Sequence, residues 1–261
     1  MRQQQKKIFQ FIWGVLLLVW AVSPLHAENI YATFNVQADR SANLAFTTTG
    51  IVRHVDVDIA DRVQEGQKLA ELENSDLKSA AAVAEANLNS ARVALKFAKR
   101  AYERENKVKK LISESQHDKV IQSYETAQSR IAQMEANLAY QKALLDKTIL
   151  HAPFDGIVYG KDIEVGDAVS GAMIRTVFKV QNIDRVKLIL AFDQKHWQSV
   201  KVGQRFEYHV DGDPKKHQGK ITKVYSYADS ANRKIKAEVI AEGFLPGLFG
   251  DGYILADEAK K

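Results

Sequence analysis

Between Asn74 and Leu150 the chain contains neither Pro nor Gly, and Ala, Leu, Lys, Glu and Gln fill most of the stretch. These residues lose little rotamer freedom in a helix. Alternating steps of four and three from Leu77 pass through Ala81, Ala84, Leu88, Ala91, Leu95, Ala98 and Tyr102. Such a heptad seam, with small residues at alternate positions, lets a second helix approach closely. A second seam runs through Val120, Tyr124, Ala127, Ile131, Met134, Leu138 and Leu145. Between the seams Ser113 precedes Gln116 at the capping-box spacing, which marks a helix start. The pattern predicts two antiparallel helices with a turn near Ile112 and Ser113, each about 45–55 Å long at about 1.5 Å per residue. One uninterrupted helix is the competing reading.

The flanks of this stretch repeat one another. Gly50-Ile51-Val52 is answered by Gly156-Ile157-Val158, and Asp61-Arg62-Val63 before Gly66 by Asp167-Ala168-Val169 before Gly171. Both copies read as short alternating strands punctuated by turn residues. Each strand cluster has one apolar face, and two such faces close on one another as a sandwich. The helical hairpin, residues 74–150, is then an insertion between the halves 50–73 and 151–181. Its ends must meet, and antiparallel helices return the chain to its starting point.

The segment Ile149-Leu150-His151-Ala152-Pro153-Phe154-Asp155-Gly156-Ile157-Val158, with Val63 to Leu72 before the hairpin, resembles the lipoyl-type sandwich of bacterial periplasmic adaptor proteins, the HlyD-like membrane fusion family. The resemblance extends over nearly all of residues 28–261. It implies an α+β fold in which a long helical hairpin is inserted in a lipoyl-like sandwich, a barrel-sandwich hybrid, followed by a small β-barrel. It also implies a periplasmic protein associated with the inner membrane. Its partners would be an inner-membrane transporter of the resistance-nodulation-division or ABC type, a TolC-like outer-membrane channel, and further copies of itself in a ring. One position departs from the repeat: Ala60 stands where the second half has Gly166, so a differently shaped turn is expected there.

The expected docking site is the hairpin tip. Leu111 and Ile112 beside Ser113 and Ser115 put apolar side chains in a turn with no partner in their own chain, and such patches mark interaction sites. The family tip carries an Arg, a Leu four residues on, and a Ser. Lys107 and Leu111 match the first spacing with Lys in place of Arg, Ser113 is the counterpart of the Ser, and the turn is shorter. Lys cannot pair with a carboxylate in the two-pronged way that Arg does.

The remaining sequence is β-rich. Residues 28–49 are expected to open the barrel and 182–256 to complete it, with strands at Val186–Phe192, Arg205–Val210, Gly219–Tyr225 and Lys234–Ile240, a short helix near Trp197, and a tail at 257–261. Arg2, Lys6 and Lys7 precede the apolar run Phe11–Val22 and Ala27, which reads as a signal peptide over 1–27, with an uncleaved anchor as the alternative. Removing those three charges from the formal +5 leaves +2, so a nucleic-acid surface does not follow.

No catalytic constellation emerges. Cys is absent, which excludes disulfides and thiolate chemistry. The seven His residues are scattered, and only His209 and His217 fall on neighbouring strands. The acidic run Asp56, Asp58 and Asp61 follows strand alternation. Asp118-Lys119-Val120 is like a lipoylation sequence but sits in the first turns of a predicted helix. A lipoyl or biotinyl carrier and a stand-alone coiled-coil scaffold are therefore the alternatives to an adaptor. No enzyme activity, cofactor or metal is expected.

Overall fold

The computed structural model describes residues 29–255; the expected signal peptide (1–27) and tail (257–261) lie outside them. The chain divides into two compact units, residues 39–184 and a barrel built from the residues before and after.

The chain begins with β1 (Ile30–Ala38), a barrel strand. It then enters the first unit through β2 (Ser41–Leu44), β3 (Gly50–Val55), β4 (Arg62–Val63) and β5 (Lys68–Leu72). Helices α1 (Ser75–Lys107) and α2 (Glu114–Asp146) follow, then β6 (Ile149–His151), β7 (Gly156–Lys161), β8 (Ala168–Val169) and β9 (Phe178–Gln181). One sheet runs β2-β9-β7-β4 and the other β6-β5-β3-β8. Phe46, Val52, Leu69, Leu72, Val158 and Phe178 are among the buried side chains between them. Each sheet takes two central strands from one half and two edge strands from the other, as expected if neither half can cover its own apolar face. The expectation that residues 28–49 all belong to the barrel fails after Ala38. There β2 pairs with β9 from Ser41↔Gln181 to Leu44↔Phe178 and extends the sandwich.

The two halves clasp through the motifs on either side of the hairpin. Gly66 N–H donates to Ala152 O at 2.8 Å and Ala152 N–H donates to Gln67 O at 2.9 Å. Glu65 N–H donates to the Asp155 carboxylate at 2.7 Å. The departing position in the repeat proves to be no departure in shape. Asp58–Asp61 and Glu164–Asp167 close the same turn, with the fourth N–H donating to the first carbonyl at 3.2 Å in both. In both, the fourth residue's carboxylate accepts from the first N–H, at 2.7 and 3.1 Å. Ala60 adopts φ 73° where Gly166 adopts φ 95°, so Ala carries a steric cost that Gly avoids. Lys161 ties the two turns, at 3.3 Å from Asp58 and 3.0 Å from Glu164.

The barrel is completed by β10 (Val186–Asp193), β11 (Arg205–Val210), β12 (His217–Asp229), β13 (Lys234–Ala241) and β14 (Phe249–Ile254). It closes in the order β1-β10-β13-β12-β11-β14. Alternation points Leu188, Leu190 and Phe192 inward from β10, where they meet Phe34, Phe206 and Tyr208. Gly252 in β14 is required by crowding: a Cβ there would lie 2.2 Å from Glu207 O and 2.8 Å from Tyr208 Cβ. Near Trp197 the expected helix is a single 3-10 turn, Gln194–His196.

Candidate docking site

Helices α1 and α2 are each 33 residues, about 50 Å at about 1.5 Å per residue. The break between them, Val108 to Ser113, rules out the single-rod reading. On α1 the seam residues Ala81, Ala84, Leu88 and Ala91 are buried, while Leu95, Ala98 and Tyr102 are half-buried. On α2 the seam from Val120 to Leu145 is half-buried throughout. Tyr102 and Tyr124 stack across the interface, with ring centroids 5.2 Å apart and planes 8° apart. Arg92 and Glu135 form an exposed ion pair at 3.7 Å.

At the tip, Lys107 is the last residue of α1 and is exposed, and Lys109–Leu111 forms a 3-10 turn. Ile112 is half-buried, and Ser113 and Ser115 are exposed. Ser113 caps α2: its hydroxyl accepts from Gln116 N–H at 3.3 Å, as its spacing predicts. The turn thus brings the expected site residues into one short segment. Val108 adds an exposed apolar side chain beside them.

Two features at this end are not marked by sequence motifs. His117 is only 6% exposed, and its Nδ1 has no hydrogen-bond partner among the described residues. Glu105 Oε2, one seam step beyond Tyr102, is likewise buried without one. Extending the seams by one step past Tyr102 and before Val120 would have found both positions.

The hairpin root carries a polar junction that the sequence did not reveal. Asn74, fully buried at the N-cap of α1, does not cap the helix with its side chain. Its Nδ2 donates to Thr148 Oγ1 at 2.8 Å, just past α2, and to Glu71 Oε1 at 3.1 Å on β5. Thr148 Oγ1 donates in turn to Leu145 O at 2.6 Å. Lys78 and Lys68 pair with the two Glu71 carboxylate oxygens at 2.7 and 2.9 Å. The Lys78 hydrogen bond, followed by that of Lys68, holds the Glu71 carboxyl at about 2, well below its usual 4.5. Glu73 takes over the capping, accepting from Ser75 N–H at 3.1 Å, and pairs with Arg53 at 2.9 Å. The helix entry, the helix exit and the sheet thus share one charge-assisted network.

The other candidate groups disperse. Lys119 lies on α2 and is exposed, unlike the turn-borne Lys of a carrier domain. His217 pairs with Asp213 at 2.8 Å, while His209 lies across from Asp251 on β14. Asp56 and Asp58 pair with Lys68 and Lys161, and Asp61 accepts a turn amide. No group of three or more His, Asp or Glu among the described residues has the arrangement of a metal site.

The sequence profile of the CzcB-like barrel-sandwich hybrid domain matches residues 40–182. The cobalt-zinc-cadmium resistance protein CzcB of Cupriavidus metallidurans is 26% identical over 81% of this chain and 42% of its own length. A UPF0194 membrane protein of Yersinia pseudotuberculosis is 26% identical over 70% of this chain and 72% of its own. The chain spans less than half the length of the CzcB relative. A membrane fusion protein of Streptococcus pneumoniae R6 has the same fold, with TM-score 0.67 at 17% identity over 88% of this chain and 100% of that one. A MacA–MexA chimera carrying the Pseudomonas aeruginosa MexA α-hairpin domain gives TM-score 0.67 at 20% identity over 89% and 83%.

Proposed function

The chain belongs to the CzcB-like barrel-sandwich hybrid family, and from that membership we propose that it is a periplasmic adaptor of a tripartite efflux pump. It links an inner-membrane transporter, of the resistance-nodulation-division or ABC type, to a TolC-like outer-membrane channel, and performs no bond chemistry. The observation that carries this reading is the hairpin itself. Two helices about 50 Å long leave a clamped root and present a short turn of Lys107, Val108, Ile112, Ser113 and Ser115. That turn is the channel-docking surface.

A second observation supports self-association. Val83, Val93 and Phe97 are exposed on α1, away from the buried seam, and fall on one stripe together with Ala86 and Ser90. A second apolar stripe on a helix that already has a partner suits another helix. In a ring, that helix belongs to the next copy, through a heterologous contact that closes by rotation. The cobalt, zinc and cadmium in the name of the CzcB relative put these cations first among the cargoes to test.

The test is photocrosslinking from position 112 in cells, with co-purification from membranes. Capture of an outer-membrane channel at the tip and recovery of a transporter are the expected results. A monodisperse monomer that recovers neither would refute the adaptor reading. Deletion strains with raised sensitivity to the three cations would identify the cargo.

A further inference from the structure

We propose that one end of the β-barrel rests on an anionic phospholipid surface. This goes beyond the adaptor reading and does not depend on it. At the end in question β1, β11 and β13 begin and β10, β12 and β14 finish. Ala38 and Val186, paired across β1 and β10, mark the opposite end of the barrel.

Large apolar side chains gather at the first end. Trp197, Val202 and Tyr227 are 63%, 63% and 59% exposed. Trp197, Tyr225 and Tyr227 line an open groove of about 800 Å³ with Lys195. Tyr31 and Tyr253, half-exposed on adjacent strands, pack edge to face at 5.6 Å. The groove has a local cause. Val224 pairs with Ala237 and Ala228 with Ile235, so Tyr225, Ser226 and Tyr227 bulge out opposite Lys236 alone. The bulge is anchored, because the Tyr225 hydroxyl donates to the Glu238 carboxylate and the Lys223 ammonium lies 5.1 Å from the Tyr225 ring centre. A bulge of this kind re-aims side chains away from the ladder.

The charges at this end choose the occupant. Lys195, Lys201, Arg205 and Arg233 are exposed, and none forms an ion pair among the described residues. The acids nearby offset part of this charge but are engaged within the chain: Asp193 accepts from Lys195 N–H at 2.8 Å, Asp229 from Ala231 N–H at 2.9 Å, Glu238 from the Tyr225 hydroxyl and Asp251 from the Tyr31 hydroxyl. Amphipathic Trp and Tyr rings suit the boundary between apolar and wet layers, and unpaired cations suit anionic headgroups. An aromatic groove lined by Lys195, at a barrel end that also carries exposed Lys201, Arg205 and Arg233, therefore matches a lipid headgroup layer better than a neutral apolar peptide. In the uncleaved-anchor alternative, chain order agrees: seven residues separate the apolar run Phe11–Val22 from Ile30, the residue that enters the barrel at this end.

The sequence holds three Trp residues, Trp13, Trp20 and Trp197, which allows a local readout in the full chain. With Trp13→Phe and Trp20→Phe, fluorescence reports position 197 alone, whatever the N-terminal segment does. Vesicles of phosphatidylcholine with phosphatidylglycerol are expected to shift the emission to shorter wavelength and make it quenchable by brominated acyl chains. Vesicles of phosphatidylcholine alone give a much weaker response. Lys195→Glu with Arg233→Glu weakens the response at least about tenfold at low salt, from two reversed charges at a charged surface. Unchanged Trp197 emission in a vesicle-bound chain overturns the proposal. So does an equal response to both vesicle types, or a response that requires an added transporter protein.

Discussion

The root and the tip of the hairpin come from the same heptad pattern but are finished differently. At the root, Ala81, Ala84, Leu88 and Ala91 are buried, and the polar groups of Glu71, Asn74 and Thr148 are joined in one network. Toward the tip the seam opens to half-buried Leu95, Ala98 and Tyr102, and Glu105 and His117 keep buried polar atoms without partners. The root too keeps one such atom, Asn74 Oδ1; what separates the ends is the depth of seam burial and the charge-assisted network that only the root carries. A lever needs a fixed base and an end that can adapt to another surface, and regions of low local stability supply such ends.

The contrast is tested most severely at the root. Leu88→Ala opens a cavity in a buried seam flanked by Ala and is expected to cost about 2–4 kcal/mol in denaturant unfolding. The same change at half-buried Leu95 should cost clearly less; equal losses would erase the distinction between the ends. Glu71→Gln removes the charge and one of the two oxygens that pair with the Lys78 and Lys68 ammonium groups and is expected to cost about 2–3 kcal/mol. The pH dependence follows from the lowered carboxyl. Its contribution is complete above the usual 4.5 and is lost as pH falls toward about 2. The wild type should therefore lose stability between those values faster than the Gln variant does.

At the tip the sign reverses. His117→Leu replaces a buried ring that lacks one partner with an apolar side chain of similar size, and should stabilise the hairpin by about 1 kcal/mol. A loss of stability there would show that His117 is well satisfied. Ser113→Ala removes the cap of α2 and should cost about 1 kcal/mol by thermal unfolding. Lys107→Ala has the smallest expected effect on stability, within about 0.5 kcal/mol for an exposed side chain, but it should reduce crosslinking to a channel. Equal crosslinking would remove Lys107 from the docking surface.

Periodicity made much of this legible. The seams read from Leu77 and Val120 are the residues that face one another, and Ser113 caps the helix that its spacing announces. The two repeated halves each contribute strands to both sheets. The Ala60 turn shows the limit of reading residues singly. A missing Gly suggested another shape, but the paired carboxylate caps of Asp61 and Asp167 enforce the same turn in both halves. The expected tip residues share one turn because they are near neighbours along the chain, whereas Glu105 and His117 lie outside an apolar pattern because polar residues do not register in it.

By itself, then, the sequence determined what neighbours along the chain decide: helix or strand, which stripe is apolar, where a turn falls. Tertiary structure decided what depends on distant partners. It placed β2 in the sandwich instead of the barrel, joined Glu71 and Asn74 to Thr148 across the whole hairpin, and gathered Trp197 with the bulged tyrosines of β12. Local patterns follow from backbone geometry and the burial of one face, which recur every few residues. A hydrogen bond across 74 positions has no period, and it exists only once the two helices have brought its ends together.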